Sequence, residues 1–93
     1  MRILFHRNFQ KFVHKLNNKQ LVKLIQSHVD AIIEDPTQGK LLDQPFRQHK
    51  VRTLGFSHKK NSFRIAFILN NDELVFLLID SRENFYKKLE QMF

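Results

Sequence analysis

The chain has no cysteine, no tryptophan, two glycines, two prolines and a single tyrosine in 93 residues. Without cysteine there are no disulfide frameworks, thiolate metal sites or thiol redox chemistry. The five histidines (His6, His14, His28, His49, His58) show no spacing typical of a metal site, so neither a metal nor a cofactor is expected. Long apolar runs are also missing: the longest, Leu74 to Ile79, is far too short to span a bilayer. The N-terminal MRILFHRNF places His6 and Arg7 after only three apolar residues, which is not the pattern of a signal peptide. Acidic residues are few, nine against 16 Lys plus Arg, so the formal charge is 16 − 9 = +7. Such an excess on so small a body points to a polyanionic partner, nucleic acid or an anionic membrane. With no spanning segment, a cytoplasmic protein with no membrane partner is expected. Phenylalanine is abundant, ten residues within a 42% hydrophobic fraction, enough for one small domain over residues 1–93 to fold without staples. A chain so rich in Phe keeps its one phenol, Tyr86, four residues after Arg82, where an apolar run gives way to charges.

Residues 2–6 (RILFH) read as a short strand. Phe9, Phe12, Val13 and Leu16 then follow the i, i+3, i+4, i+7 spacing of one helical stripe. Asn17 and Asn18 interrupt it and can cap a second helix, whose buried side carries Leu21, Leu24, Ile25, Val29, Ile32 and Ile33. That helix stops near Asp35, because Pro36 disfavours the helical conformation of its predecessor. So short a connection predicts an antiparallel helical hairpin. After the loop DPTQGKLLDQP the period changes from 3.6 to 2. HKVRTLGF (49–56), SFRIAFIL (62–69) and ELVFLLID (73–80) read as strands, joined by the basic turn SHKKN and by Asn70-Asn71-Asp72. The third strand is apolar on both faces and belongs inside a sheet. Residues 82–93 form a last short helix with Phe85, Leu89, Met92 and Phe93 on its apolar side. There is no internal repeat, low-complexity tract or linker. The order β-α-α-β-β-β-α predicts an α+β fold: an N-terminal strand and helical hairpin packed on a mainly antiparallel sheet, closed by a short C-terminal helix.

Strand alternation puts Lys50, Arg52 and Leu54 on one face of the first long strand, with His49, Val51 and Thr53 on the other. In the next strand Phe63, Ile65, Phe67 and Leu69 share a face, leaving Arg64 with Ala66 and Ile68. Pairing through SHKKN would lay Arg64 across from the Lys50/Arg52 region, and Arg82 and Tyr86 follow the neighbouring strand one helical turn apart. Four cations and the only tyrosine are thus expected at one edge of the sheet. Such a cluster is costly unless an anion neutralises it, which marks a candidate phosphate site. His49, His58, Lys59 and Lys60 lie nearby as candidate RNA contacts.

The segments HKL, LIQSHVDAIIEDP, KLLDQPF and HKVRTLGF…SFRIAFIL…LVFLLIDSRENFYKKL, in this order, resemble the RelE/ParE superfamily of toxins from bacterial toxin–antitoxin pairs. The resemblance runs from about Phe9 to Tyr86 and is closest to the RelE branch, which cleaves mRNA in the ribosomal A site. It implies a RelE-like fold and a catalytic set at Lys50, Arg52, Arg64, Arg82 and Tyr86. The cognate antitoxin, the ribosome and mRNA are the partners it implies. Three departures stand out. The link GFSHKKNS is longer than usual, and a register slip of one residue would move Lys50 and Arg52 to the other face. Phe63 stands where the family often has Tyr, and no acidic residue on the strand offers a general base.

RNA cleavage by 2′-OH attack on the adjacent phosphorus expels the 5′-oxygen and builds charge on the non-bridging oxygens, which fixed cations stabilise. Arg64 and Arg82 suit that role as permanently charged, bidentate donors. Lys50, crowded by other cations, would exchange the proton, and Tyr86 would stack on a base or move a proton. The expected activity is a metal-independent, ribosome-dependent endoribonuclease. Its rivals are a ParE-like DNA gyrase inhibitor and a non-catalytic RNA- or antitoxin-binding remnant.

Overall fold

The computed structural model describes residues 1–93. The elements are β1 (Arg2–Phe5), α1 (Arg7–His14), α2 (Lys19–Glu34), β2 (Lys40–Leu41), β3 (Val51–His58), β4 (Asn61–Asn70), β5 (Glu73–Ser81) and α3 (Arg82–Gln91). Helix α1 begins two residues before its apolar stripe because His6 caps it: Nδ1 accepts from the Asn8 N–H at 3.1 Å. Asn18 caps α2 as its chemistry suggests, its side chain accepting from Leu21 N–H at 3.0 Å. The α2 ladder ends at Asp35, immediately before Pro36, with ψ at 85°.

The five strands form one sheet in the order β1-β5-β4-β3-β2. All neighbours are antiparallel except β1 and β5, so the sheet is mixed, and β5 is interior as its two-sided apolar pattern requires. Each face carries its own core. On one face α1 and α2 bury Phe9, Leu21, Ile25, Val29 and Ile32 against Phe63, Ile65, Phe67, Leu74, Phe76 and Ile79. On the other face Phe85 and Leu89 of α3 close over Val51, Ala66, Leu77 and Leu78, with Leu42 and Phe46 from the loop before β3. Each fully buried Phe, such as Phe67, Phe76 or Phe85, contributes about 1.5–3 kcal/mol of transfer free energy.

Three local features depart from the sequence expectation. First, β3 starts at Val51, not at His49. Residues Phe46–His49 form a 3-10 turn in which the Asp43 carbonyl accepts from Phe46 N–H at 3.0 Å and Arg47 N–H at 3.2 Å, and Lys50 exits it left-handed at φ 57°. The turn then keeps Lys50 out of the ladder, its N–H donating to the Arg47 carbonyl at 2.9 Å. Second, Lys40–Leu41 adds an edge strand, Lys40 pairing with Thr53 and Leu41 with Arg52. Gly39 makes that approach possible: at φ 86°, any Cβ there would stand 2.6 Å from the Thr53 carbonyl oxygen. Third, the long β3–β4 link is not a loose turn. The ladder continues through Phe56↔Phe63, Ser57↔Ser62 and His58↔Asn61, leaving only Lys59 and Lys60 at the tip.

A bulge in β5 sets the remaining geometry. Phe67 pairs with Phe76 but Ala66 with Leu78, so Leu77 is the extra residue, and Leu77 and Leu78 both join the α3-side core. Beyond it the alternation is inverted. Ile79 therefore faces the helical hairpin, and Asp80 faces α3 beside Arg64, its ladder partner.

Candidate functional site: an arginine-lined cleft beside Tyr86

The α3-side face turns polar at the β3–β4 end. Arg64 stands opposite Gly55, and an added Cβ on Gly55 would meet Arg64 Nη1 at 3.8 Å and Cγ at 4.0 Å. The arginine therefore lies flat across the gap that glycine leaves. Its guanidinium carbon is 5.9 Å from the centroid of the Tyr86 ring, a cation–π distance. Tyr86 is held edge-on against the buried Phe85, with ring centroids 5.1 Å apart, while the residue itself is 39% exposed.

Arg82, the first residue of α3, lines the same cleft as Arg64, a hollow of about 180 Å³ that also includes Gly55, Phe56, Ser57, Ser62 and Phe63. Ser57 and Ser62 are cross-strand partners, so two hydroxyls lie beside two guanidiniums. A cation at a helix N-terminus opposes the helix dipole, a locally unfavourable placement that a bound anion would relieve. The chain forms three ion pairs, Arg2–Glu73, Arg47–Asp43 and Lys88–Asp80, and neither cleft arginine takes part in them. Arg64 Nε is inaccessible to solvent and has no hydrogen-bond partner. Two unpaired guanidiniums, Arg64 held against Tyr86 and Arg82 exposed at the start of α3, with hydroxyl donors beside them suit a phosphate or another oxyanion.

On the far side of Tyr86 a second hollow of about 240 Å³ is lined by Lys40, Leu42, Asp43, Gln44, Phe46 and Tyr86. Lys40 shares the face of its partner Thr53, which is 2% exposed with an unpartnered Oγ1. Lys40 is the cation that sequence reasoning missed. It opens the segment KLLDQPF, and Gly39 just before it was the available sign of a short edge strand. Arg64, Arg82, Tyr86 and Lys40 together make a cationic strip with an aromatic ring at its middle.

The expected convergence of five residues is not what the register allows. Arg52 pairs with Phe67 and alternates with Leu54 and Phe56, so it lies on the helical-hairpin face, the opposite side of the sheet from Arg64. There it faces Asp35, whose carboxyl is held below the usual carboxylate range first by the Thr37 hydroxyl at 2.6 Å, then by the Thr37 N–H at 3.2 Å, with Arg52 adding attraction. Lys50 precedes β3 altogether, five residues and so roughly 15 Å of strand from Gly55. His49 stacks on Phe93 at 4.5 Å in the turn before β3 and does not line the arginine cleft. His58, Lys59 and Lys60 occupy the end of the β3–β4 hairpin, with His58 on the Arg52 side. The physical reason is parity: a two-residue turn pairs even-numbered β3 residues with odd-numbered β4 residues, which separates Arg52 from Arg64.

A roomier cleft of about 410 Å³ lies between α1 and α3, with Lys11, Lys15 and Lys88 around apolar Phe12, Leu78, Ile79 and Met92. It lacks paired guanidiniums and contains the buried carboxylate of Asp80. The smaller arginine cleft is thus the better match to an anion of the two. No three His, Asp or Glu residues come together as a metal site, and no helix is long and apolar enough to cross a membrane.

The fold and this strip define a small basic α+β domain with a cationic face around Tyr86. The chain matches the ParE-like toxins of type II bacterial toxin–antitoxin systems over residues 3–90, and it belongs to that family. Comparison with curated proteins and with solved structures gives no match. Family membership brings a cognate antitoxin as partner.

Proposed function

We propose that this toxin is a metal-independent, ribosome-dependent endoribonuclease whose reaction centre is Arg64, Arg82 and Tyr86, extended by Lys40. The observation that carries this reading is the pair of unpaired guanidiniums in one small cleft, with the Tyr86 ring packed beside Arg64. Arg64 and Arg82 hold the non-bridging oxygens of the scissile phosphate and stabilise the charge that grows when the 2′-oxygen bonds to phosphorus and the 5′-oxygen leaves. Tyr86 stacks on the adjoining base or relays the proton. Lys40, across Tyr86, takes the next phosphate. Arg52 and Lys50, placed elsewhere, are assigned to ribosome contact together with His49, His58, Lys59 and Lys60. Because β3 presents only Val51, Thr53, Gly55 and Ser57 to the α3 side, proton transfer by the protein is limited, which fits reliance on the ribosome to align the mRNA.

The same observation supports a second reading, a DNA gyrase inhibitor that needs no proton-transfer group on β3. Translation of a defined mRNA on purified ribosomes, with primer extension and with Arg82→Ala and Tyr86→Phe alongside, separates the two. Cuts in the A-site codon that vanish with Arg82→Ala support the ribonuclease. Intact mRNA, with DNA damage on induction in cells, supports gyrase. Induction without growth arrest would mean a non-catalytic remnant.

A further inference from the structure

Asp80 is the one buried acid of the molecule, 4% exposed, and it stands directly opposite Arg64 in the β4–β5 ladder. Cross-strand partners on one face have Cβ atoms about 5 Å apart, well within a guanidinium's reach. The two side chains nevertheless form no ion pair. Asp80 Oδ2 is ion-paired with Lys88 Nζ of α3, close enough for charge attraction but not aligned as a hydrogen bond, and Oδ1 accepts from Ser81 N–H at 2.7 Å and Ser81 Oγ at 3.3 Å. Arg64 turns the other way, over Gly55 and toward Tyr86.

A carboxylate this buried is costly without a cation. If Lys88 did not supply one, a preset candidate is Arg64, whose fork matches a carboxylate and which the ladder already places opposite Asp80. Lys11 and Lys15 line the same cleft as Asp80 but must reach across it from α1. We infer that Lys88 is a positioning residue: by holding Asp80 it keeps the Arg64 guanidinium unpaired and available to an anionic ligand. This rests on the reading of the Arg64/Arg82 cleft as a phosphate site. Lys88 itself is half exposed on the far side of α3 and does not line that cleft.

The inference is tested with Lys88→Ala, Lys88→Arg, Asp80→Asn and the double variant Lys88→Ala/Asp80→Asn. The probe is a 2′-O-methyl RNA oligonucleotide, which binds as a phosphodiester but has no nucleophile for cleavage. Lys88→Ala is expected to weaken binding about tenfold, the order of one charge-assisted contact, as Arg64 pairs with Asp80. Lys88→Arg and Asp80→Asn should bind within about twofold of the parent, and the double variant should recover the lost affinity, because no carboxylate remains to capture Arg64. A merely structural role would lower the melting temperature of the single and double lysine variants without that recovery. The inference is overturned if Lys88→Ala binds like the parent or if the double variant binds no better than Lys88→Ala. NMR of the Arg64 Nε–H in Lys88→Ala, without any oligonucleotide, tests the same point independently. A new hydrogen bond to Asp80 supports the inference, and its absence overturns it. If the parent protein fails to bind the probe, the phosphate-site reading falls, while the NMR result still decides what Lys88 does to Arg64.

Discussion

On the hairpin side of the sheet the rows across β3, β4 and β5 read Arg52/Phe67/Phe76 and then Leu54/Ile65/Ile79. On the α3 side the same strands read Val51/Ile68/Val75, then Thr53/Ala66/Leu78, then Gly55/Arg64/Asp80. One face keeps hydrocarbon along its length and carries a single cation at its margin. The other is hydrocarbon at one end and changes within two rows to a glycine gap, a free guanidinium and a buried acid. Strands shared by both faces can hold such different chemistry because successive side chains alternate across the sheet, so each face is set by its own half of the residues. The hairpin face is thereby free to supply stability, and the far end of the α3 face is free to be electrostatically uncomfortable.

The largest expected effect breaks the stabilising face. Phe76 is fully buried, with ring centroids 5.1 Å from Phe5, 5.7 Å from Phe9 and 6.2 Å from Phe67. Phe76→Ala should lower the unfolding free energy by about 3–5 kcal/mol, measured by urea denaturation. That is a large share of the roughly 5–15 kcal/mol that holds a domain together. If the loss were no greater than for a surface residue, the division of labour between the faces would be wrong.

Next come the arginines of the other face. Arg64→Ala or Arg82→Ala should each reduce mRNA cleavage on ribosomes about 10²-fold, the effect of removing one donor from a site of developing charge. Arg82→Ala should shift stability by no more than about 0.5 kcal/mol, and Arg64→Ala by about 0.5–1 kcal/mol for the lost contact with the Tyr86 ring, far less than Phe76→Ala. Activity and stability would thus fail on opposite faces. Arg52→Ala sharpens the comparison further. It deletes a cation in the next strand but on the hairpin face, so cleavage should change only about twofold, as expected of a surface contact worth ~0.5 kcal/mol. A loss equal to that of Arg64→Ala would place both arginines in one site and contradict the ladder register.

Much of this arrangement was legible in the amino-acid sequence. The stripes Phe9–Leu16 and Leu21–Ile33, the alternation in residues 62–69, and the charged helix after Ser81 are long, regular patterns, and each forms the expected element, α1 stopping at His14 just short of Leu16. Arg64, Arg82 and Tyr86 were legible as well, because each sits inside such a pattern. Lys40 was not, since a two-residue strand has no period to read and exists only because Gly39 lets it approach Thr53. The faces of Lys50 and Arg52 depended on turn length alone. With Lys59 and Lys60 at the tip, paired residue numbers in β3 and β4 sum to an odd value, as 58 and 61 do, so Arg52 and Arg64 must part; a three-residue turn would have joined them. Lys59 takes φ 56° without being glycine, so nothing in SHKKN advertised the tight turn. The bulge at Leu77 was equally silent, because an apolar run reads the same in either phase, yet it decides that Asp80 faces Arg64.

The smallest effect belongs to the hairpin face and to pH. His28 of α2 stacks on Phe56 at 4.6 Å, and Phe56 stacks on Phe63 at 5.5 Å. Burial there lowers the His28 pKa from its ordinary 6.5. A base whose folded pKa lies below its unfolded value binds protons less readily when folded, so falling pH favours the unfolded chain. Above about pH 6.5 both states are neutral at this residue and it contributes no slope; the loss begins as pH drops through 6.5 and levels off below the folded pKa. Asp35 acts lower in the scale, since its depressed pKa gives stability that persists until pH falls through the carboxylate range. Between about pH 6.5 and 5 the slope should therefore carry a His28 component. Melting temperatures of the parent and His28→Gln across this range check it: the neutral amide should flatten the acid-side decline, with a smaller change than any substitution above. Phe56, which stacks on His28, also lines the arginine cleft, but His28 itself does not and carries no charge at pH 7.5, so oligonucleotide binding at that pH should match the parent. Affinity that followed His28 would show the two faces communicating through β3 and β4, and the separation between a stabilising face and a binding face would fail.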